Sequence, residues 1–165
     1  DQILNENYAP LFVDLQGATW TDKEAFELKK NAKRFEQWEM PYALMLGLKE
    51  AIGYANGLGM EEIEKRNEVL SAHLRSELNG LKGTEVFDQG SRQGSIVTFR
   101  KTDTSLIHHI RVLQENNVYF SISSKESALL DFTKKGVDKL IRISPHYFNT
   151  MEEIDDLIEI IATIQ

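Results

Sequence analysis

Apolar positions first settle into a regular period after residue 41, where Leu44, Leu48, Ile52 and Ala55 recur at helical spacing behind Pro41 and stop at Gly57 and Gly59. The spacing predicts a helix over 42–57. Gly47 and Gly53 inside it weaken a helix by about 1 kcal/mol each relative to Ala, so they are expected to admit close approach of another element. From Met60 to Leu81, Ile63, Leu70, Leu74, Leu78 and Leu81 form one stripe, with Glu61, Glu62, Lys65, Arg66 and Arg75 off it, which predicts a long amphipathic helix over 60–80. The β-prone runs 84–88 and 95–100 flank Gln89-Gly-Ser-Arg-Gln-Gly94, whose glycines suit a hairpin or loop.

Leu106, Ile110 and Leu113 return to the helical period over 104–116, and Val118 to Ile122 reads as a strand. The polar stretch 123–138 is expected to connect, with a short strand at Leu129 to Phe132, before a further strand over 139–144. Thr150 and Glu153 fit a capping box, and Ile154, Leu157, Ile158 and Ile161 give a final helix over 151–164 its buried stripe. Acids at Glu152, Glu153, Asp155, Asp156 and Glu159 suit the dipole at its start. Residues 1–35 show no sustained period and read as a lead-in with little regular structure, separate from a domain over 36–165. Helices alternating with short strands imply an α+β fold, a small mixed or antiparallel sheet covered by helices.

Composition narrows the function classes. The 165 residues are 41% apolar and 27% charged, an ordinary globular balance. A net charge of −7 disfavours nucleic-acid and acidic-membrane binding, and no apolar run approaches the ~20 residues that span a bilayer. With no cysteine there is no disulfide, thiolate nucleophile or cysteine-held zinc, and the cytoplasm is the expected compartment. The opening Asp1-Gln-Ile-Leu-Asn-Glu-Asn7 lacks both an initiator Met and a basic signal-peptide start, as expected of a piece of a longer polypeptide.

Candidate chemistry is sparse. His73, His108, His109 and His146 show no metal-ligand spacing, and adjacent His108-His109 on a helix reads as a surface pair. Gly90 to Gly94 lacks the phosphate-loop pattern and precedes a strand, so it reads as a hairpin loop. Trp38-Glu39, just before the proline-started helix, either lines a site or supplies a core aromatic. Arg142, within Ile141-Arg-Ile-Ser-Pro-His-Tyr-Phe-Asn-Thr150, is a guanidinium in a mostly apolar strand and needs an anion: a ligand carboxylate or a structural ion-pair partner.

That segment, with Arg34-Phe-Glu-Gln-Trp-Glu39 and Gly57-Leu-Gly-Met-Glu-Glu-Ile-Glu-Lys-Arg66, resembles the C-terminal small domain of class V aminotransferase-like enzymes, the superfamily of cysteine desulfurases and isopenicillin-N-epimerase-like proteins. The resemblance implies a fold type I pyridoxal-phosphate (PLP) enzyme, a homodimer acting on an amino acid. It assigns the substrate carboxylate to Arg142, with Trp38, Glu39 and His146 as candidate site-lining residues. The superfamily's aldimine lysine, pyridine-ring aspartate and most phosphate ligands lie upstream of the matched region, so this chain is expected to be inactive alone. Trp38-Glu39 stands where desulfurases place a Gly-Thr pair at the neighbouring subunit's phosphate, and a carboxylate there would repel phosphate. The desulfurase's mobile cysteine loop corresponds roughly to Ser121 to Ser127, where no Cys occurs, which favours transamination, lyase or epimerase chemistry over persulfide chemistry. The alternative is a non-catalytic α+β module for amino-acid binding or dimerisation.

Overall fold

A computed structural model describes residues 8–164. The opening Asp1–Asn7 stretch and Gln165 lie outside the described residues. Contacts divide the chain into two compact units, 1–54 and 55–165, so the junction at 35/36 falls within the first.

The first unit is more regular than its sequence period suggests. Strands β1 (Ala18–Asp22) and β2 (Ala25–Leu28) form an antiparallel hairpin, followed by a 3-10 turn over Ala32–Phe35. The expected unstructured lead-in is therefore corrected. Its order comes from polar ties that a hydrophobic period cannot reveal. Arg34 is buried, donating from Nε to the Lys29 carbonyl at 2.8 Å and from a terminal nitrogen to the Tyr8 carbonyl at 3.3 Å. Gly17 packs so closely on this turn that a Cβ there would sit 2.8 Å from the Arg34 carbonyl oxygen, so glycine is required.

Helix α1 (Tyr42–Leu58) begins in the first unit and ends in the second. It occupies the predicted span, yet none of its residues is buried; Leu44, Leu48 and Ile52 are exposed. A Cβ added at Gly47 or Gly53 would meet nothing within 4 Å, so the close approach expected there is absent among the described residues.

The second unit carries the main core. Helix α2 (Met60–Gly80) leads to β3 (Thr84–Val86) and β4 (Val97–Lys101), then α3 (Leu106–Glu115), β5 (Ser121–Ser124), α4 (Leu129–Lys135), β6 (Lys139–Ile143) and α5 (Met151–Thr163). The four strands pair antiparallel in the order β3-β4-β6-β5. Because side chains alternate across a strand, Val97, Phe99, Ile141 and Ile143 all face one way, against Leu70, Leu74 and Leu78 of α2 and Ile154, Leu157, Ile158 and Ile161 of α5. Leu140, on the other face, packs with Phe87, Phe132 and Val137 in a smaller cluster. The capping box at Thr150 and Glu153 starts α5 as its sequence predicts.

Three local expectations are corrected. Leu129 to Phe132 opens helix α4 instead of forming a strand. Only Phe132 of α4 is buried, Gly136 caps the helix in the left-handed conformation, and Lys135 pairs with Asp131 one turn earlier at 2.8 Å. Strand β5 starts three residues later than expected, because Asn117 adopts φ 56° and the Val118 amide still bonds the Leu113 carbonyl at 2.9 Å. His109 is buried, donating to or accepting from Thr104 Oγ1 at 2.8 Å, while its neighbour His108 stays exposed.

Candidate functional site

Arg142 is the fourth residue of β6, and the alternation that buries Ile141 and Ile143 turns it to solvent. Register places Thr98 of β4 on one side of it and Ser121 of β5 on the other. Among the described residues its guanidinium has no hydrogen-bond or ion-pair partner. The structural ion pair that its sequence context allowed is therefore absent among them, and the planar fork is free to meet a carboxylate.

The strand beside Arg142 is held by a buried polar chain. Asp88 Oδ1 accepts from the Thr98 amide at 2.9 Å and from its hydroxyl at 2.6 Å. Asp88 Oδ2 accepts from Arg75 Nε at 2.7 Å, and a terminal nitrogen of Arg75 donates to the carbonyls of Gly94 and Ile96 at 2.6 and 2.9 Å. Helix α2, the 87–96 loop and the start of β4 are thereby tied together. The loop's Gly94 thus serves the hairpin connection expected of it. Arg75 is buried, contrary to the reading that put it on the solvent side of α2. Ser71, one turn earlier beside the leucine stripe, is buried with it.

His146 lies three residues beyond β6, at the same end of the sheet as Arg142. Its amide donates to Asn149 Oδ1 at 2.9 Å, the Asn149 amide returns a bond to the His146 carbonyl at 2.8 Å, and Asn149 Nδ2 reaches Glu153 of the capping box at 3.1 Å. Arg66 of α2 donates to the Asn149 carbonyl at 3.0 Å. The turn is thus clipped to both helices, and the His146 ring lies tilted against those of Tyr147 and Phe148, with centroids 4.7 and 5.2 Å away.

Trp38 and Glu39 belong to the first unit, whereas Arg142 and His146 belong to the second. The Trp38 ring is exposed, so it is no core aromatic among the described residues. Its amide donates to Asp14 Oδ2 at 2.6 Å, and that bond, followed by the one from the Gln16 amide, holds the Asp14 carboxyl below the usual carboxylate range.

Lys101 is buried, but its ammonium donates to the Ile161 and Ile164 carbonyls at the end of α5, and that of Lys135 is held by Asp131. The described residues contain no cluster of His, Asp or Glu able to hold a metal ion, and no helix among them is long and apolar enough to cross a membrane.

A four-stranded antiparallel sheet under two long helices, with an exposed arginine on its outer face, defines an α+β domain. The sequence profile of the aminotransferase class-V family matches residues 11–157, and the chain belongs to that family. A probable cysteine desulfurase of Xylella fastidiosa (strain 9a5c) is 28% identical over 132 residues, covering 80% of this chain and 32% of that protein. The apo cysteine desulfurase of Thermococcus onnurineus NA1 superposes with a TM-score of 0.78 at 18% identity, over 93% of this chain and 38% of that one. A mutant of C-DES with glycine covalently linked to its PLP cofactor gives a TM-score of 0.68 at 24% identity, over 94% of this chain and 38% of that one. These two likenesses establish a shared fold. The chain spans about a third of the length of the curated relatives it matches.

Proposed function

We propose that this chain is the C-terminal small domain of a longer PLP-dependent class V aminotransferase-like enzyme, in which Arg142 binds the α-carboxylate of an amino-acid substrate. The observation that carries the reading is the unpaired, exposed guanidinium of Arg142 on a strand locked by pairing on both sides. A side chain held by backbone ladders is placed more precisely than one on a loop, and a forked donor fixes both oxygens of a carboxylate. Fixing that group sets the orientation of the bonds at the substrate's α-carbon.

PLP acts as an electron sink in such enzymes. In this reading the cofactor is held by residues outside this chain, and the buried ammonium of Lys101 serves the Ile161 and Ile164 carbonyls instead. The absence of cysteine from 121–127 favours transamination, lyase or epimerase chemistry over transfer of sulfur to a protein thiol. The longer enzyme is a cytoplasmic homodimer. The exposed apolar side chains Leu44, Leu48 and Ile52 of α1 support a covered face, since contiguous surface of this kind marks protein contacts.

The test is Arg142→Ala in the full-length gene product. Leaving the incoming carboxylate unpaired should lower kcat/KM by about 2–5 kcal/mol, with partial rescue by Arg142→Lys and PLP absorbance retained. Near-normal kcat/KM would refute the assignment, as would loss of folding.

A further inference from the structure

Residues directly opposite one another on antiparallel strands share a face of the sheet, with Cβ atoms about 4.5–5.5 Å apart. Register therefore sets three polar side chains in one row across the outer face: Thr98 of β4, Arg142 of β6 and Ser121 of β5. The two hydroxyls that flank the guanidinium differ in what their hydrogens do. Thr98 Oγ1 donates to Asp88 Oδ1 at 2.6 Å, so its hydrogen is spent inside the domain. Ser121 is half-buried, and its hydroxyl has no hydrogen-bond partner among the described residues. Strand β5 stands at the edge of the sheet, so no further strand among the described residues lies beyond Ser121 to supply one.

Arg142 cannot supply one either. A guanidinium carries donors and no acceptor, so it cannot take the Ser121 hydrogen. It can instead hold a group that will, because a carboxylate gripped by the fork keeps lone pairs beyond those the fork uses. We infer that Ser121 is a second substrate-binding residue, whose hydroxyl donates to the carboxylate that Arg142 holds. This rests on the role proposed for Arg142 and deepens it. The site is one-sided as a result: the β5 flank of the guanidinium offers a hydrogen and the β4 flank does not, which draws the carboxylate toward β5.

The test titrates the full-length, PLP-loaded gene product with glycine and with methylamine, which lacks the carboxylate, and reads each Kd from the change in PLP absorbance. Ser121→Val and Ser121→Thr introduce side chains of nearly equal shape, both suited to a strand, that differ in the hydroxyl. The Val variant should bind glycine about tenfold more weakly than the Thr variant, equivalent to about 1.4 kcal/mol, with the methylamine Kd the same in both. Ser121→Ala read against the unaltered enzyme carries the same comparison if a branched variant fails to fold. Arg142→Ala, titrated alongside, should weaken glycine further. Equal glycine Kd values with and without the hydroxyl, while Arg142→Ala still weakens glycine, would overturn the Ser121 contact and leave the Arg142 assignment standing. A loss shared equally by methylamine would overturn it too, since the hydroxyl would then shape the site without touching the carboxylate. A glycine Kd unchanged by Arg142→Ala, or no lower than that of methylamine in the unaltered enzyme, would overturn both.

Discussion

Replacing Asp88 by Ala removes one end of the polar chain that fastens β4 to α2. The Arg75 and Asp88 side chains are only 10% and 11% exposed, so the deletion leaves a guanidinium charge uncompensated in a dry site. Breaking such a buried pair from one side costs about 3–5 kcal/mol. Arg75 keeps its two carbonyl acceptors, which pulls the loss toward the lower end, while the Thr98 amide and hydroxyl lose theirs, which pushes it back up. The expected destabilisation is about 3–4 kcal/mol. Urea unfolding of the chain should be followed by far-UV circular dichroism, because both tryptophans, Trp20 and Trp38, lie in the first unit and would report on it instead. With a slope of about 2 kcal/mol per molar urea, the midpoint should fall by about 1.5–2 M at unchanged slope. The double variant Arg75→Leu, Asp88→Leu should be clearly less damaged than the sum of its single variants, since no lone charge is left behind. A loss below about 1 kcal/mol for Asp88→Ala, or strict additivity in the double variant, would refute the reasoning.

Three further outcomes follow from the same geometry. Lys101→Met, measured by the same urea assay, should destabilise by about 1–3 kcal/mol by stripping the α5 carbonyls of Ile161 and Ile164 of their donor, and a neutral result would show that other groups satisfy them. Burial, then the nearby Lys101 charge, lowers the His109 pKa below its ordinary value of about 6.5, although Asp103 opposes the shift. The folded chain therefore binds fewer protons than the unfolded one, so the His109 contribution is fully present above about pH 6.5 and is lost as pH falls below that. His109→Gln should flatten the stability slope just below about pH 6.5, and an unchanged slope would rule this out. Finally, borohydride treatment of this chain mixed with PLP should give diffuse labelling only, because an unactivated lysine is a poor Schiff-base nucleophile; stoichiometric attachment to one lysine, read by mass spectrometry, would place the cofactor site in this chain.

Periodicity was enough for α1, α2, α3 and α5, because a stripe repeating every 3.6 residues is a local property, as is the Thr150 and Glu153 capping box. The β3, β4 and β6 strands were legible for the same reason, and the segment around Arg142 carried the family resemblance. Side-chain alternation along β6 also suffices to turn Arg142 away from the face that buries Ile141 and Ile143. What sequence could not convey was decided by which partners the folded chain brings to each polar group. Arg75 looks like a solvated helix residue until the 87–96 loop brings Asp88 and two carbonyls to it, and His109 looks exposed until Thr104 and the core close over it. The hairpin at 18–28 lacks a hydrophobic period because Arg34 and Gly17, through backbone carbonyl contacts, order it instead. Asn67 and His146, 79 positions apart by numbering, line one cavity only once α2 and the turn after β6 are packed on one sheet. A buried polar group's energy depends on whether a partner arrives, and that is a property of tertiary structure alone.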